Sequence, residues 1–179
     1  GYEQIGMDHF SLPGDELALA FERRQLHRNF MGYTVSRAPD MIGLGISAIG
    51  DVSGAYAQNQ KKLSAYYADL NAGGLPVARG CALSADDRVR RHVITELMCN
   101  LWLDTKLVES VFGVDFAVTF ARELGELRVG PVADGLAVLH DDAIEVTPLG
   151  QFFVRSVCMP FDTYLREKQR SSPAFSRTV

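Results

Sequence analysis

Asp8 and His9, adjacent in "GMDHF", are of the residue types that move protons, because a carboxylate beside an imidazole orients the ring and favours its charged form. Neighbours on a regular strand point to opposite faces, so the two act together only where the strand has already become a loop. The competing reading is ordinary loop hydrogen bonding, and no catalytic residue is assigned. In "HRNF", His27, Arg28 and Asn29 fall between a helix and a strand. Arg28 offers a planar fork for a carboxylate or phosphate, against the alternative of a surface arginine paired with a nearby acid. "GLGISAIG", residues 43–50, sets glycines two apart where an α/β strand would end. Ligands bind at such ends and glycine lets them approach the backbone, yet tight strand packing asks for the same residue. The third glycine and the helix start of a dinucleotide fingerprint are missing. Cys81, Cys99 and Cys158 fit neither a disulfide framework nor metal-ligand spacing. They read as reduced, mostly buried thiols, and no metal ligand is assigned.

The elements that would position these residues follow from periodicity and punctuation. "GYEQIGMDHF" reads as a short strand entering a loop at Pro13 and Gly14. Asp15 and Glu16 open the helix "DELALAFERRQL", with Leu17, Ala20, Phe21 and Leu26 on its apolar face. "MIGLGISAI" has the composition of a strand covered on both faces, and a helix is expected from about Gln58 to Asn71. Strand, helix, strand, helix is the order of a parallel α/β sheet or barrel. Two parallel strands alone leave partners wanting on one side, so residues 1–72 read as the last units of a larger architecture.

"NAGGLP", residues 71–76, marks a boundary. Beyond it Ser84 and Asp87 form a loose capping box before the apolar stripe Val89, Val93, Leu97 and Leu101. Thr105 is expected to cap a helix through Phe112, and Asp115 one through about Leu127. "LAVLHDDAIEVT" is a hairpin signal near residues 136–147. Pro148 starts a last helix that Pro160 should kink or divide. Residues 73–179 are thus a helical, winged-helix-like domain with a β-hairpin.

That pattern invites a nucleic-acid reading, and charge opposes it. The chain of 179 residues has a net charge of −4, and residues 84–150 carry 6 basic and 12 acidic groups. Phosphate binding is electrostatic first, so no nucleic-acid partner is expected. Arg155, Arg166, Lys168, Arg170 and Arg177 make the tail basic, either as a clamp for an anion such as a polycarboxylate or, the favoured reading, as a solvated helix face. No segment is long and apolar enough to span a membrane and no secretory signal is present, so a cytoplasmic protein is expected.

Taken together, "GYEQIGMDHFSLPGDELALA", "LHRNFMGYT", "GLGISAI", "YAQNQKKL" and "CMPFDTYLR" closely resemble the C-terminal part of the oxygen-independent coproporphyrinogen III oxidases, also called dehydrogenases, of the radical S-adenosylmethionine class. The resemblance implies that residues 1–72 end an incomplete (βα)6 barrel and that residues 73–179 form the helical domain behind it. It implies an oxidoreductase of porphyrin and haem biosynthesis that decarboxylates two propionates of coproporphyrinogen III to vinyl groups, giving protoporphyrinogen IX. The implied cofactors are S-adenosylmethionine and a [4Fe-4S] cluster. The family's cluster motif, C-x3-C-x2-C, does not occur here, so the chain alone is expected to be inert without the N-terminal part of the barrel. At the family's second S-adenosylmethionine site, Ile49 matches a contact isoleucine, and Met31 stands where the family has glutamine. Met31 replaces an amide with an apolar thioether. Arg28 is the candidate for a substrate propionate. A second class of function stays open, that of a haem- or tetrapyrrole-binding chaperone-like relative without oxidase activity.

Overall fold

A glycine decides the first turn. A computed structural model describes residues 1–171, with side chains to Glu167; Arg177 and the side chains of Lys168 and Arg170, three of the basic tail residues, lie outside that description. β1 (Glu3–Ile5) and β2 (His9–Ser11) pair antiparallel across Gly6, which holds φ +57°. A Cβ on Gly6 would overlap Cζ and Oη of Tyr33 and lie 2.8 Å from Cε1. α1 (Glu16–Glu22) buries Ala18 and Ala20. β3 (His27–Asn29) and β4 (Gly32–Thr34) form a second hairpin with Arg28 opposite Tyr33. Its two-residue turn is closed by Asn29, whose Oδ1 accepts from the Met31 amide at 2.8 Å.

Residues 36–88 are a compact unit of their own. β5 (Ile49–Val52), β6 (Ala55–Asn59) and β7 (Val77–Ala82) make an antiparallel sheet with β6 central, and α2 (Leu63–Asn71) connects β6 to β7. Ser53 and Gly54, both at positive φ, supply the turn whose twist suits a tight hairpin. Buried Asn59 holds the preceding loop, donating from Nδ2 to the carbonyls of Gly43 (3.0 Å) and Gly45 (2.9 Å).

α3 (Ala85–Asn100) begins as expected: Asp87 N–H donates to Ser84 Oγ at 3.1 Å, and Ser84 N–H donates to Asp87 Oδ2 at 2.9 Å. β8 (Trp102–Asp104) leads into α4 (Thr105–Phe112), whose cap is Asp104 rather than Thr105, with Oδ1 accepting from Leu107 N–H at 2.9 Å. Asp115 caps α5 (Phe116–Thr119) as expected, although the helix then breaks at Phe120 and resumes as α6 (Ala121–Val129). The anticipated hairpin is β9 (Ala137–Leu139) and β10 (Ala143–Val146), and β8 adds to the free side of β10. α7 (Pro148–Phe152) is capped by Thr147, α8 (Val154–Cys158) follows, and a 3-10 turn containing Pro160 (Met159–Phe161) separates α8 from α9 (Thr163–Ser171). Phe120 and Phe161, fully buried and 5.4 Å apart, centre the core of this part.

Two expectations are corrected. Every strand pairing among the described residues is antiparallel, so the parallel α/β reading of residues 1–72 does not hold and the unpartnered parallel edge it implied is not found. "HRNF" lies mostly in a strand, whereas residues 41–48 of "MIGLGISAI" are a loop joined to β5 by one bridge, Met41 to Asp51. Gly45 at φ +94° and Ser47 at φ +58° turn that run out of the extended region, leaving Ile42 and Leu44 exposed. Residues 1–35 group with 89 onward, because Ile5, Ala18, Ala20, Leu26 and Tyr33 share a core with Cys99 of α3, and Leu26 N–H donates to the buried Asn100 Oδ1 at 3.0 Å.

Candidate functional site

The Gly6–Asp8 turn removes the geometric objection to an acting Asp8–His9 pair. Asp8 lies in the turn and His9 opens β2, so the side chains meet, with His9 Nδ1 and Asp8 Oδ1 2.9 Å apart. That hydrogen bond, aided by the charges of His9, Arg28 and Arg155, holds the Asp8 carboxyl below the usual carboxylate range. The bond also fixes Nδ1 as the ring nitrogen that faces Asp8.

Tyr33 is the residue on which the group is built. Its buried hydroxyl donates to Met98 O of α3 at 3.3 Å and accepts from Met7 N–H at 3.1 Å, tying the first turn, the second hairpin and α3 together. Burial pushes its phenol above the ordinary value, so it stays a donor. His9 meets the Tyr33 ring edge-on at 5.0 Å, and the Arg28 guanidinium lies 5.2 Å from the ring centroid, a cation–π distance. Among the described residues no carboxylate stands within ion-pair distance of Arg28, so the alternative of a surface arginine paired with an acid is not the arrangement found.

Of the other sequence candidates, Met31 occupies the tip of the β3–β4 turn with 90% of its surface exposed, and Ile49 opens β5, half-buried, in the unit of residues 36–88. Gly43 has a packing reason for being glycine, since a Cβ there would stand 2.8 Å from the Ile49 carbonyl. Cys99 and Cys158 are buried thiols pushed up to about 12 by desolvation, whereas Cys81 is exposed. Arg166 is no solvated-face residue: it donates to Pro160 O at 2.5 Å and approaches Glu126 and buried Glu123 at 3.4 and 3.6 Å. Sequence reasoning missed Tyr33. The signal for it was the two-residue turn of "RNFMGY", which sets Tyr33 opposite Arg28.

Among the described residues no three His, Cys, Asp or Glu side chains converge to hold a metal ion. A [4Fe-4S] cluster therefore has no ligand set among them. No helix of the described residues is long and apolar enough to cross a membrane.

Residues 83–153 match the family described as the HemN C-terminal domain. The whole chain is 46% identical, over 180 residues, to oxygen-independent coproporphyrinogen III oxidase of Escherichia coli K12, covering 39% of that protein. It is 45% identical over 183 residues to the Synechocystis protein of the same name, again covering 39% of it. A solved structure, described as coproporphyrinogen III oxidase (HemN) from Escherichia coli, a radical SAM enzyme, superposes with a TM-score of 0.87 at 46% identity over 92% of this chain and 38% of that one. The chain is thus similar over its full length to proteins named oxygen-independent coproporphyrinogen III oxidase, and it spans about two-fifths of their length.

Proposed function

We propose that this chain is a portion of an oxygen-independent coproporphyrinogen III oxidase, a cytoplasmic oxidoreductase that turns two propionates of coproporphyrinogen III into vinyl groups during porphyrin biosynthesis. The observation that carries the reading is identity of 46% sustained across the entire chain rather than at one motif. The parent's chemistry would draw on S-adenosylmethionine and a [4Fe-4S] cluster, and the cluster does not fit the residues described here, so no step is derived through it. The order α3, β8, α4, α5 with α6, then the β9–β10 hairpin beside β8 supports a winged-helix reading of the later part, placed after the end of the parent's barrel.

Within that function this chain's residues bind and orient. Arg28 holds a substrate propionate: the Tyr33 ring immobilises its guanidinium while its N–H groups stay available. Ile49, in the unit of residues 36–88, gives apolar contact to a second S-adenosylmethionine. The test is anaerobic turnover of coproporphyrinogen III by the full-length protein that contains this chain. Arg28→Ala should raise KM more than it lowers kcat. Cluster-loaded protein that leaves coproporphyrinogen III unchanged would refute the reading.

A further inference from the structure

Charge around the β1–β2 turn is unevenly matched. One carboxylate, Asp8, is attended by His9, Arg28 and Arg155, and it is already engaged by His9 Nδ1. Arg28 rests on Tyr33, and Arg155, exposed on α8, makes no ion pair among the described residues. The arrangement of the chain brings α8 to this place independently of charge: Gln151 of α7 donates from Nε2 to Gly6 O at 2.9 Å, which fixes the start of the α7–α8 segment on the turn that carries Asp8. The His9 side chain is 39% exposed, and its Nε2 makes no hydrogen bond among the described residues. A Cβ on residue 32 would stand 3.0 Å from Nε2, and residue 32 is glycine. Phe10 and Phe152, next to His9 and within α7, are exposed aromatic rings. Two guanidinium groups outside any ion pair among the described residues, an imidazole nitrogen free of hydrogen bonds and apolar rings suit a ligand that carries several carboxylates on an apolar macrocycle.

We propose that His9 and Arg155 join Arg28 in binding carboxylates of the tetrapyrrole substrate, as a clamp set around the Asp8 turn. The inference rests on the function proposed above and extends it to two residues. Asp8 is a positioning residue in the clamp: it orients the imidazole through Nδ1 so that Nε2 meets the ligand. Tyr33 does the same for Arg28.

The experiment titrates the full-length protein that contains this chain with coproporphyrin III, a stable fluorescent tetracarboxylate, and with its tetramethyl ester under the same solvent conditions. Arg155→Ala and His9→Gln should each raise the apparent Kd about fivefold or more, Arg155→Lys should lose less than Arg155→Ala, and the ester should bind far more weakly than the acid. Unchanged thermal unfolding of each variant separates lost recognition from lost folding. Affinity equal in wild type and Arg155→Ala, equal binding of acid and ester, or no binding by the wild-type protein overturns the clamp. The function itself is judged separately, because full-length protein that turns over coproporphyrinogen III while Arg155→Ala leaves KM unmoved keeps the function and removes the clamp.

Discussion

Replacing Gly6 by alanine should be among the costliest single-methyl changes in this chain. Residue 6 sits at φ +57°, where a side chain costs roughly 1–2 kcal/mol before it touches anything. The added Cβ then overlaps the end of Tyr33, a side chain pinned by hydrogen bonds at 3.1 Å to Met7 and 3.3 Å to Met98. The ring has to withdraw, and each hydrogen bond it surrenders costs about 0.5–1.5 kcal/mol. With both bonds surrendered the sum is about 2–5 kcal/mol. Gly14 provides the control: it also has positive φ, 89°, but a Cβ there meets nothing within 4 Å, so Gly14→Ala should show the conformational cost alone. Urea unfolding of both variants, with m unchanged, measures the difference. Removing the obstacle should restore part of the loss, so Gly6→Ala with Tyr33→Ala should be less destabilised than the two single changes added together. If Gly6→Ala costs no more than Gly14→Ala, or if the double change is additive, Tyr33 is not the rigid support described here.

Asn59→Ala should release the loop of residues 41–48, since it deletes both amide hydrogen bonds to Gly43 and Gly45; the expected cost is about 1–3 kcal/mol, and faster amide exchange confined to that loop and its strands is the measurement. Asp8, whose folded pKa is lowered from 3.8, contributes stability that is present above 3.8 and is lost as pH falls through the lower folded value. Asp8→Asn should therefore narrow the stability gap to wild type as urea unfolding is moved from pH 7 to pH 2, and a constant gap would contradict the assignment. Iodoacetamide at pH 8 should modify Cys81 alone in the folded chain, because Cys99 and Cys158 are buried with thiols near 12, and mass spectrometry of digested protein reads the sites.

Features written within three or four residues of one another were legible. Ser84 with Asp87, Asp115, Pro148 and the break at Pro160 all act on the nearest backbone amides, and each does in the structure what its type and spacing predicted. Strand pairing was not legible in the first half of the chain, because an apolar run carries no record of its partner. Residues 41–48 have the composition of a buried strand, yet what fixes them is Asn59, more than ten residues away, together with backbone angles that only Gly45 among the loop's glycines and Ser47 reveal. Punctuation such as "NAGGLP" acts locally, while Leu26 and Tyr33 reach Asn100 and Met98 across more than 60 residues.

The site divides along the same line. Arg28 and the Asp8–His9 pair drew attention by residue type, but type alone left each open between a ligand-binding role and a surface contact. Geometry weighs differently on the two. For Arg28 it sets the guanidinium against the ring of a buried tyrosine, outside any ion pair among the described residues. For Asp8 and His9 it puts the pair in contact and then assigns the contact a positioning character, because the aspartate occupies Nδ1 and leaves the other nitrogen facing a glycine. It is the surplus of positive charge over Asp8, and not the presence of Asp8, that argues for a ligand bringing further carboxylates.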